Sequence, residues 1–430
     1  MSFRALRSLL VLWLAIVAGV TSLQAEPPAA KPTRDVVVWI SMDGFRSDYL
    51  KRAETPHLNR LIASGVSSLE LEPIFPSITF PSHISQATGV RVAKHGIPSN
   101  TFYDSAADFT HRYPWYGRLL EAEPIWLTAA RQQVRVASLD WPLSHSQRGK
   151  VTATYFEDRF DGSKTDAERL DRLLEVWQND KGKADQPLRL LMSYVVGTDT
   201  VGHVSGPDSH EVIETAKELD GLIGSFVERV VKTFDEQRQG DEQLYLLLTT
   251  DHGMLPTHTA VHLGNLADVE GMEGINLSTG GNVGDIFFAK NMPDRDAAIT
   301  AALEQIRKQD FAKAWKREDL PEEWELAHPT RVGDIVVVLD RGYVFNRAPK
   351  DKITASTAER GPLGMHGYDP KHHPEMMGPM IVWRHPTPLP TRQLGRVSSL
   401  QLHPTVAQLL GIHPSEVAKE KPIELEEAAR

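Results

Sequence analysis

The stretch Val36-Val37-Val38-Trp39-Ile40-Ser41-Met42-Asp43-Gly44 decides how the rest of the chain is read. Five consecutive apolar residues without polar alternation suit a strand buried on both faces, as in a parallel sheet covered by helices. Two later runs repeat the pattern. Leu188 to Val196 leads into Gly197-Thr198-Asp199, and Leu244 to Leu248 leads into Thr249-Thr250-Asp251-His252-Gly253. Helix-like stretches, Asp166–Trp177 and Glu211–Val231, lie between them. Strands alternating with helices predict an α/β fold with a doubly wound, mostly parallel sheet. Each of the three strands delivers an acid, Asp43, Asp199 and Asp251, to its carboxyl end, where open parallel sheets form ligand sites. A single strand-end Asp commonly caps a helix or turn. Three on one edge repel one another unless a cation holds them.

Working outward, residues 291–355 change character. A helical stretch (Asp294–Lys308) precedes Phe311-Ala312-Lys313-Ala314-Trp315, a polar segment containing proline, and a strand-like run Asp334–Leu339. This reads as a small α/β insertion near the C-terminus that closes over one side of the core. The expected organisation is a catalytic core over 35–290, the insertion over 291–355, and the remainder of the core over 356–430. Before it come a Pro/Ala-rich linker (26–34) and an N-terminal segment (1–25) with the pattern of a secretory signal. Arg4 and Arg7 precede an apolar run from Leu9 to Val20, and the small residue Ala25 stands at the expected cleavage point. Leu23 is not ideal there, and an uncleaved anchor is the alternative. No later segment is apolar for long enough to span a bilayer. Export, to a periplasm or the medium, is expected.

The 430 residues carry a formal charge of −10, which argues against a general affinity for nucleic-acid polymers or anionic membranes. The chain has no cysteine. Disulfides and thiolate metal ligands are therefore excluded, and any metal site must use His, Asp, Glu and hydroxyl groups. Candidates are at hand. Asp199 and His203, four apart, fall on one side of a helical turn. Asp251-His252-Gly253 puts two more potential ligands on a tight turn, and His366 sits between residues rich in glycine (Gly364-Met365-His366-Gly367). With Asp43 these suffice for two metal ions. Thr79 lies in Phe75-Pro76-Ser77-Ile78-Thr79-Phe80-Pro81, a loop stiffened by prolines. A threonine hydroxyl becomes a useful nucleophile at neutral pH if a metal lowers its pKa.

The ordered set of blocks resembles the nucleotide pyrophosphatase/phosphodiesterase family of the alkaline phosphatase superfamily. The blocks are Asp43-Gly44-Phe45-Arg46-Ser47-Asp48, Thr55-Pro56-His57-Leu58, Phe75 through Thr79-Phe80-Pro81-Ser82-His83, His95-Gly96-Ile97 with Asn100, Asp199-Thr200-Val201-Gly202-His203, Asp251-His252-Gly253-Met254 and His366-Gly367-Tyr368-Asp369. The resemblance covers nearly all of the chain after the N-terminal segment, and implies an alkaline phosphatase-type sheet. It implies two Zn(2+) ions, one held by Asp43, Thr79, Asp251 and His252 and the other by Asp199, His203 and His366. Other divalent metals suit the same donors. It implies that Thr79 attacks phosphorus to form a phosphoryl-threonine and that Asn100 donates a hydrogen bond to a nonbridging oxygen. Phe80 and Tyr194, and more weakly Tyr155, would line a pocket for a nucleotide base.

The partner expected is a small phosphodiester or nucleotide. The same metal core would also serve a phosphomonoesterase, a phosphonate hydrolase, a phospholipid-headgroup diesterase or a phosphoryl transferase. Departures from the family touch the pocket rather than the ligands. Ile78 stands where many relatives carry Lys, and Ser82 where many carry Asn. His258, His262, His372 and His373 occur in unfamiliar contexts and read as surface or supporting residues.

Overall fold

The computed structural model describes residues 34–182, 186–346 and 352–426. The segment read as a secretory signal, and all of the linker but residue 34, lie outside them. The strand Val36–Met42 is buried along all 7 of its residues. It runs parallel to Leu188–Val195 on one side and to Leu244–Thr249 on the other, with Val37 opposite Leu190 and Val36 opposite Leu244. The order across the nine-stranded sheet is Arg392–Leu394, Val66–Glu72, Gly378–His385, Leu244–Thr249, Val36–Met42, Leu188–Val195, Arg135–Ser138, Tyr155–Phe156, with the short strand Val397–Ser398 also pairing with Val66–Glu72. Gly378–His385 is antiparallel to both of its neighbours, and the other pairs are parallel. The expected doubly wound, mostly parallel α/β sheet is present.

Both faces of the sheet are covered, which is why its strands are apolar throughout. Val37 and Trp39 point into one cluster with residues of the helices Thr79–Thr88, Ile125–Arg131 and Leu402–Leu409. Val36, Val38 and Ile40 point into the other, packed by Asp166–Gln178 and His210–Gln237. The one polar atom of the Trp39 ring is satisfied: Nε1 donates to Thr249 Oγ1 at 2.9 Å across the sheet. The helix boundaries follow local chemistry. Thr165 and Glu168 form a reciprocal capping box ahead of Asp166, and Ser209 accepts from Val212 N–H ahead of His210.

A second, antiparallel sheet has the order Ile275–Gly280, Val283–Phe288, Ile335–Leu339, Ala312–Lys316, with the helix Arg295–Ile306 against it. Its first two strands fall within the stretch the sequence reading gave to the core. They form a hairpin whose half-buried first strand carries none of the continuous apolar signal seen in the central strands. This sheet and the turn Glu322–Trp324 pack on the core through Val283, Val336 and Trp324, whose ring lies 4.1 Å from Phe75, tilted by 36°, in the loop that leads to Thr79. Among the described residues no helix is long and apolar enough to cross a membrane.

Candidate active site

The three strand-end acids converge. Gly44, directly after Asp43, has φ +64°, and a Cβ there would lie 3.0 Å from both Cα and Cβ of Asp199, so the residue must be glycine for the two strand ends to close up. Its N–H donates to Asp251 Oδ1 at 3.2 Å, and the His252 N–H donates to the same oxygen at 2.9 Å. Asp43 Oδ1, Asp199 Oδ1 and Asp251 Oδ2 are buried with no hydrogen-bond partner among the described residues. Orphaned buried carboxylate oxygens are costly. Three in one place form a candidate seat for a cation.

The imidazoles complete the cage. Nδ1 of His203 donates to the Gly364 carbonyl at 2.7 Å, Nδ1 of His252 to Gly253 at 2.9 Å, and Nδ1 of His366 to Ser77 at 3.1 Å. A carbonyl can only accept, so each ring carries a proton on Nδ1 and turns Nε2 inward; on neutral His252 and His366 that Nε2 offers a lone pair, as in metal-ligating histidines, whereas on His203 it faces the Asp199 carboxylate. Those Nε2 atoms lie 3.3 Å from Asp199 Oδ1 for His203, 3.5 Å from the same oxygen for His366, and 3.2 Å from Asp251 Oδ2 for His252. Donor atoms of Asp43, Asp251 and His252 lie within 4.8 Å of one another, as do those of Asp199, His252 and His366. His252 therefore stands between the two groups, its ring stacked on His366 at 3.5 Å.

The electrostatics are those of a site built around positive charge. Burial, then the charges of Asp199 and Asp251, pushes the Asp43 carboxyl well above the usual range. Burial, with Asp199 adding, pushes Asp251 up to about 8. Burial drives His252 and His366 well below the ordinary imidazole range, which leaves them neutral and able to ligate. On Asp199 burial acts upward but is outweighed by His203 and His366, so its carboxyl is held low. Burial acts downward on His203, yet the pairing with Asp199 raises it to about 9. With the His203 Nε2 proton displaced by a cation, the oxygen and imidazole donors in this number would fit divalent zinc, manganese or iron.

Thr79 opens the helix Thr79–Thr88, and its Oγ1 lies 3.3 Å from His252 Nε2. Asn100 Oδ1 accepts from the Phe80 N–H at 2.8 Å. That bond orients the amide and turns its donor, Nδ2, toward the Tyr113 hydroxyl at the cleft. A cleft of about 260 Å³ opens here, lined by Asp43, Thr79, Asn100, Asp199, His203 and His366 together with Phe80, Tyr113, Trp115 and Tyr194.

The family described as type I phosphodiesterase/nucleotide pyrophosphatase matches residues 37–369. The chain belongs to that family. An uncharacterized pyrophosphatase/phosphodiesterase of Schizosaccharomyces pombe is 31% identical over 78% of this chain and 68% of its own length. The human bis(5'-adenosyl)-triphosphatase is 26% identical over 92% of this chain and 82% of its own. In fold, murine ectonucleotide pyrophosphatase/phosphodiesterase 5, solved as an inactive form in complex with AMP, superposes with a TM-score of 0.74 over 89% of this chain and 97% of its own, at 23% identity. The chain is thus a phosphodiesterase-family hydrolase of phosphoric ester bonds.

Within this phosphodiesterase the structure gathers Asp43, Thr79, Asn100, Asp199, His203, Asp251, His252 and His366 around one centre. Phe80 and Tyr194 also line the cleft, but they are only 1% and 4% exposed. Tyr155 does not join them. It lies on the edge strand Tyr155–Phe156, and its hydroxyl donates to Asp180 Oδ1 at 2.9 Å. Its nearness in sequence to an aromatic neighbour gave no information on that pairing.

His258, His262, His372 and His373 stay outside the two ligand groups. His258 bonds Thr259, His262 caps the turn Leu263–Leu266, His372 pairs with Asp369, and His373 meets the Tyr368 ring edge-on.

Three features escaped sequence reading. His83, one turn after Thr79, donates from Nδ1 to the Thr79 carbonyl at 2.8 Å, and that nitrogen also sits 3.3 Å from Asp251 Oδ2, which packs the helix start against the acid. Its i+4 spacing from Thr79 was the available signal. Gly281 turns the 275–288 hairpin with φ +59°, and a Cβ there would lie 2.2 Å from the His366 carbonyl, so the hairpin tip is wedged against His366. Tyr113 and Trp115 line the cleft from a loop whose sequence carries no motif.

Proposed function

We propose that this chain is an exported, two-zinc phosphodiesterase that cleaves small nucleotide-type diesters or pyrophosphates through a phosphoryl-threonine intermediate. The observation that carries the reading is the placement of Thr79 Oγ1 3.3 Å from His252 Nε2, beside the orphaned oxygens of three buried aspartates. Asp43, Thr79, Asp251 and His252 would hold one cation, and Asp199, His203 and His366 the other. Bound there, the cations would supply the charge that lowers the pKa of the Thr79 hydroxyl and offsets charge on the departing oxygen. Thr79 Oγ1 bonds to phosphorus as the P–O bond to the leaving group breaks. Water then cleaves the phosphoryl-threonine and frees Thr79.

Asn100 Nδ2 donates to the nonbridging oxygen whose charge grows in the transition state. Asn100→Ala is expected to lower kcat by roughly 10²–10³-fold, as loss of one such donor does. A change confined to KM in steady-state kinetics would remove Asn100 from that role.

A nucleotide-type substrate accords with the named activity of the human relative and with the AMP complex of the murine neighbour. Phe80 and Tyr194 would form apolar walls beside its base. The cleft also distinguishes diesters from monoesters. A monoester's extra negative oxygen calls for an Arg or Lys, and no Arg or Lys is among the described residues lining the cleft. Bis(p-nitrophenyl) phosphate is therefore expected to be turned over with at least about tenfold higher kcat/KM than p-nitrophenyl phosphate. Faster cleavage of the monoester would overturn the diesterase reading. Export rests on the basic and apolar pattern of residues 1–25.

A further inference from the structure

Trp115 occupies space that a flat ligand would need. Its indole lies on the Phe160 ring at 3.8 Å and 4° and meets Phe80 edge-on at 4.8 Å. Phe160 is fixed from behind. The Arg169 guanidinium carbon sits 4.4 Å from its ring centre, and Arg169 is anchored by Asp140 at 3.0 Å and by the Asp161 carbonyl at 2.8 Å. A stacked indole and a cation at these distances cannot share one face, so they take opposite faces of Phe160. The consequence shows in the cleft wall, which includes Trp115 but not Phe160. The cleft holds about 260 Å³, below the ~300–1,000 Å³ usual for small-molecule sites.

The loop carrying the indole is under strain. Tyr113, two residues earlier and followed by Pro114, has φ +44°, a region that bulky side chains enter only under constraint. Strain of this kind clusters at active sites, ligand clamps and switch segments. Among the described residues, Trp115 is also the member of the stack without a charged anchor. Arg169 and Asp140 pin Phe160, whereas rings surround the indole: Phe160, Phe80 and, at 5.3 Å, His145.

We propose that Trp115 is an internal occupant of a stacking slot on Phe160, displaced when a planar base enters, and that it thereby sets the preference of this enzyme between base-bearing and base-free diesters. The proposal rests on the phosphodiesterase reading of the Thr79 cleft. A ligand that must first displace the indole binds with its intrinsic affinity reduced by the fraction of molecules in which the slot is open. A stacked aromatic pair of ordinary strength closes the slot in most molecules.

The test compares kcat/KM for p-nitrophenyl thymidine 5'-monophosphate with that for methyl p-nitrophenyl phosphate, using the metal-loaded full chain and its Trp115→Ala variant. The ratio, nucleotide over base-free, is expected to rise about three- to tenfold in the variant, chiefly through a lower KM for the nucleotide, and inhibition by AMP is expected to tighten by a similar factor. Trp115→Leu, which keeps an apolar group in the loop, is expected to move the ratio the same way by less, and it carries the test if the Ala variant does not fold. An unchanged ratio would show that the indole does not cover the slot. A falling ratio would show that the base rests on Trp115 itself; either result overturns the proposal. Failure of the unaltered enzyme to cleave methyl p-nitrophenyl phosphate would instead strike at the phosphodiesterase reading.

Discussion

Thr79→Ala is expected to lower kcat/KM for bis(p-nitrophenyl) phosphate by at least about 10³-fold while the protein stays folded and metal-loaded. The side chain is nearly buried, at 6% exposure, so the change deletes a hydroxyl and a methyl from a packed helix start without baring new surface. The helix does not depend on that hydroxyl. Ile78, not Thr79, holds the cap position, and the helix is fastened to the sheet by Gln86 Nε2 donating to the Thr250 carbonyl at 2.8 Å. His83 still reaches the carbonyl of residue 79 in the variant, since that contact is to backbone. Thermal melting and metal analysis of the purified variant check that the loss is chemical. Activity within tenfold of the parent would mean that water attacks phosphorus directly.

Stripping metal with a chelator is expected to abolish turnover, zinc to restore it, and the melting temperature to fall by roughly 5–15 °C, the size of effect produced by ligands present at about 100–1,000 times their Kd. The stripped protein is also expected to weaken as pH rises, and the sign follows from the acids. Asp251 is raised to about 8 by burial and by Asp199, and Asp43 is raised well above its usual range by the same kind of crowding. A carboxyl whose folded pKa is raised favours the fold below its unfolded value, near 4, and loses that contribution as pH climbs through the folded value. Chelated protein should therefore melt lower at pH 9 than at pH 6. The metal-loaded protein, with its acids matched by cations, should show much less of this slope. Differential scanning calorimetry at the two pH values, with and without chelator, makes the comparison. A chelated protein with the loaded protein's melting temperature at both would show that no cation sits among these acids.

Much of this centre is legible in the sequence, for a physical reason. A strand buried on both faces must be apolar along its length, so Val36–Ile40, Leu188–Val195 and Leu244–Leu248 announce themselves. The parallel arrangement then sends Asp43, Asp199 and Asp251 to one edge whatever the intervening chain does. The pair Asp199 and His203 was legible because helical spacing alone brings them together, and Nε2 and Oδ1 do lie 3.3 Å apart.

What stayed hidden depends on contacts between distant segments. The wedge of Gly281 under His366 joins positions 85 apart in sequence through a hairpin that belongs to the second sheet. The start of that sheet at Ile275 gave no signal, because a half-buried antiparallel strand does not stand out beside fully buried ones. Tyr155 illustrates the opposite error. Its ring reads as a pocket wall, but Asp180 and Arg135 hold its end of the sheet, and the hydroxyl goes to Asp180. The stack of Trp115 on Phe160 has no periodicity at all, since two loops supply it.

Diffraction data from crystals of the untreated protein, collected just above and just below the zinc absorption edge, bear most directly on whether cations arm Thr79. Two anomalous peaks are expected, one in reach of Asp43, Asp251, His252 and the Thr79 oxygen, the other in reach of Asp199, His203 and His366. Active crystals with no anomalous signal from any transition metal at these side chains would contradict it.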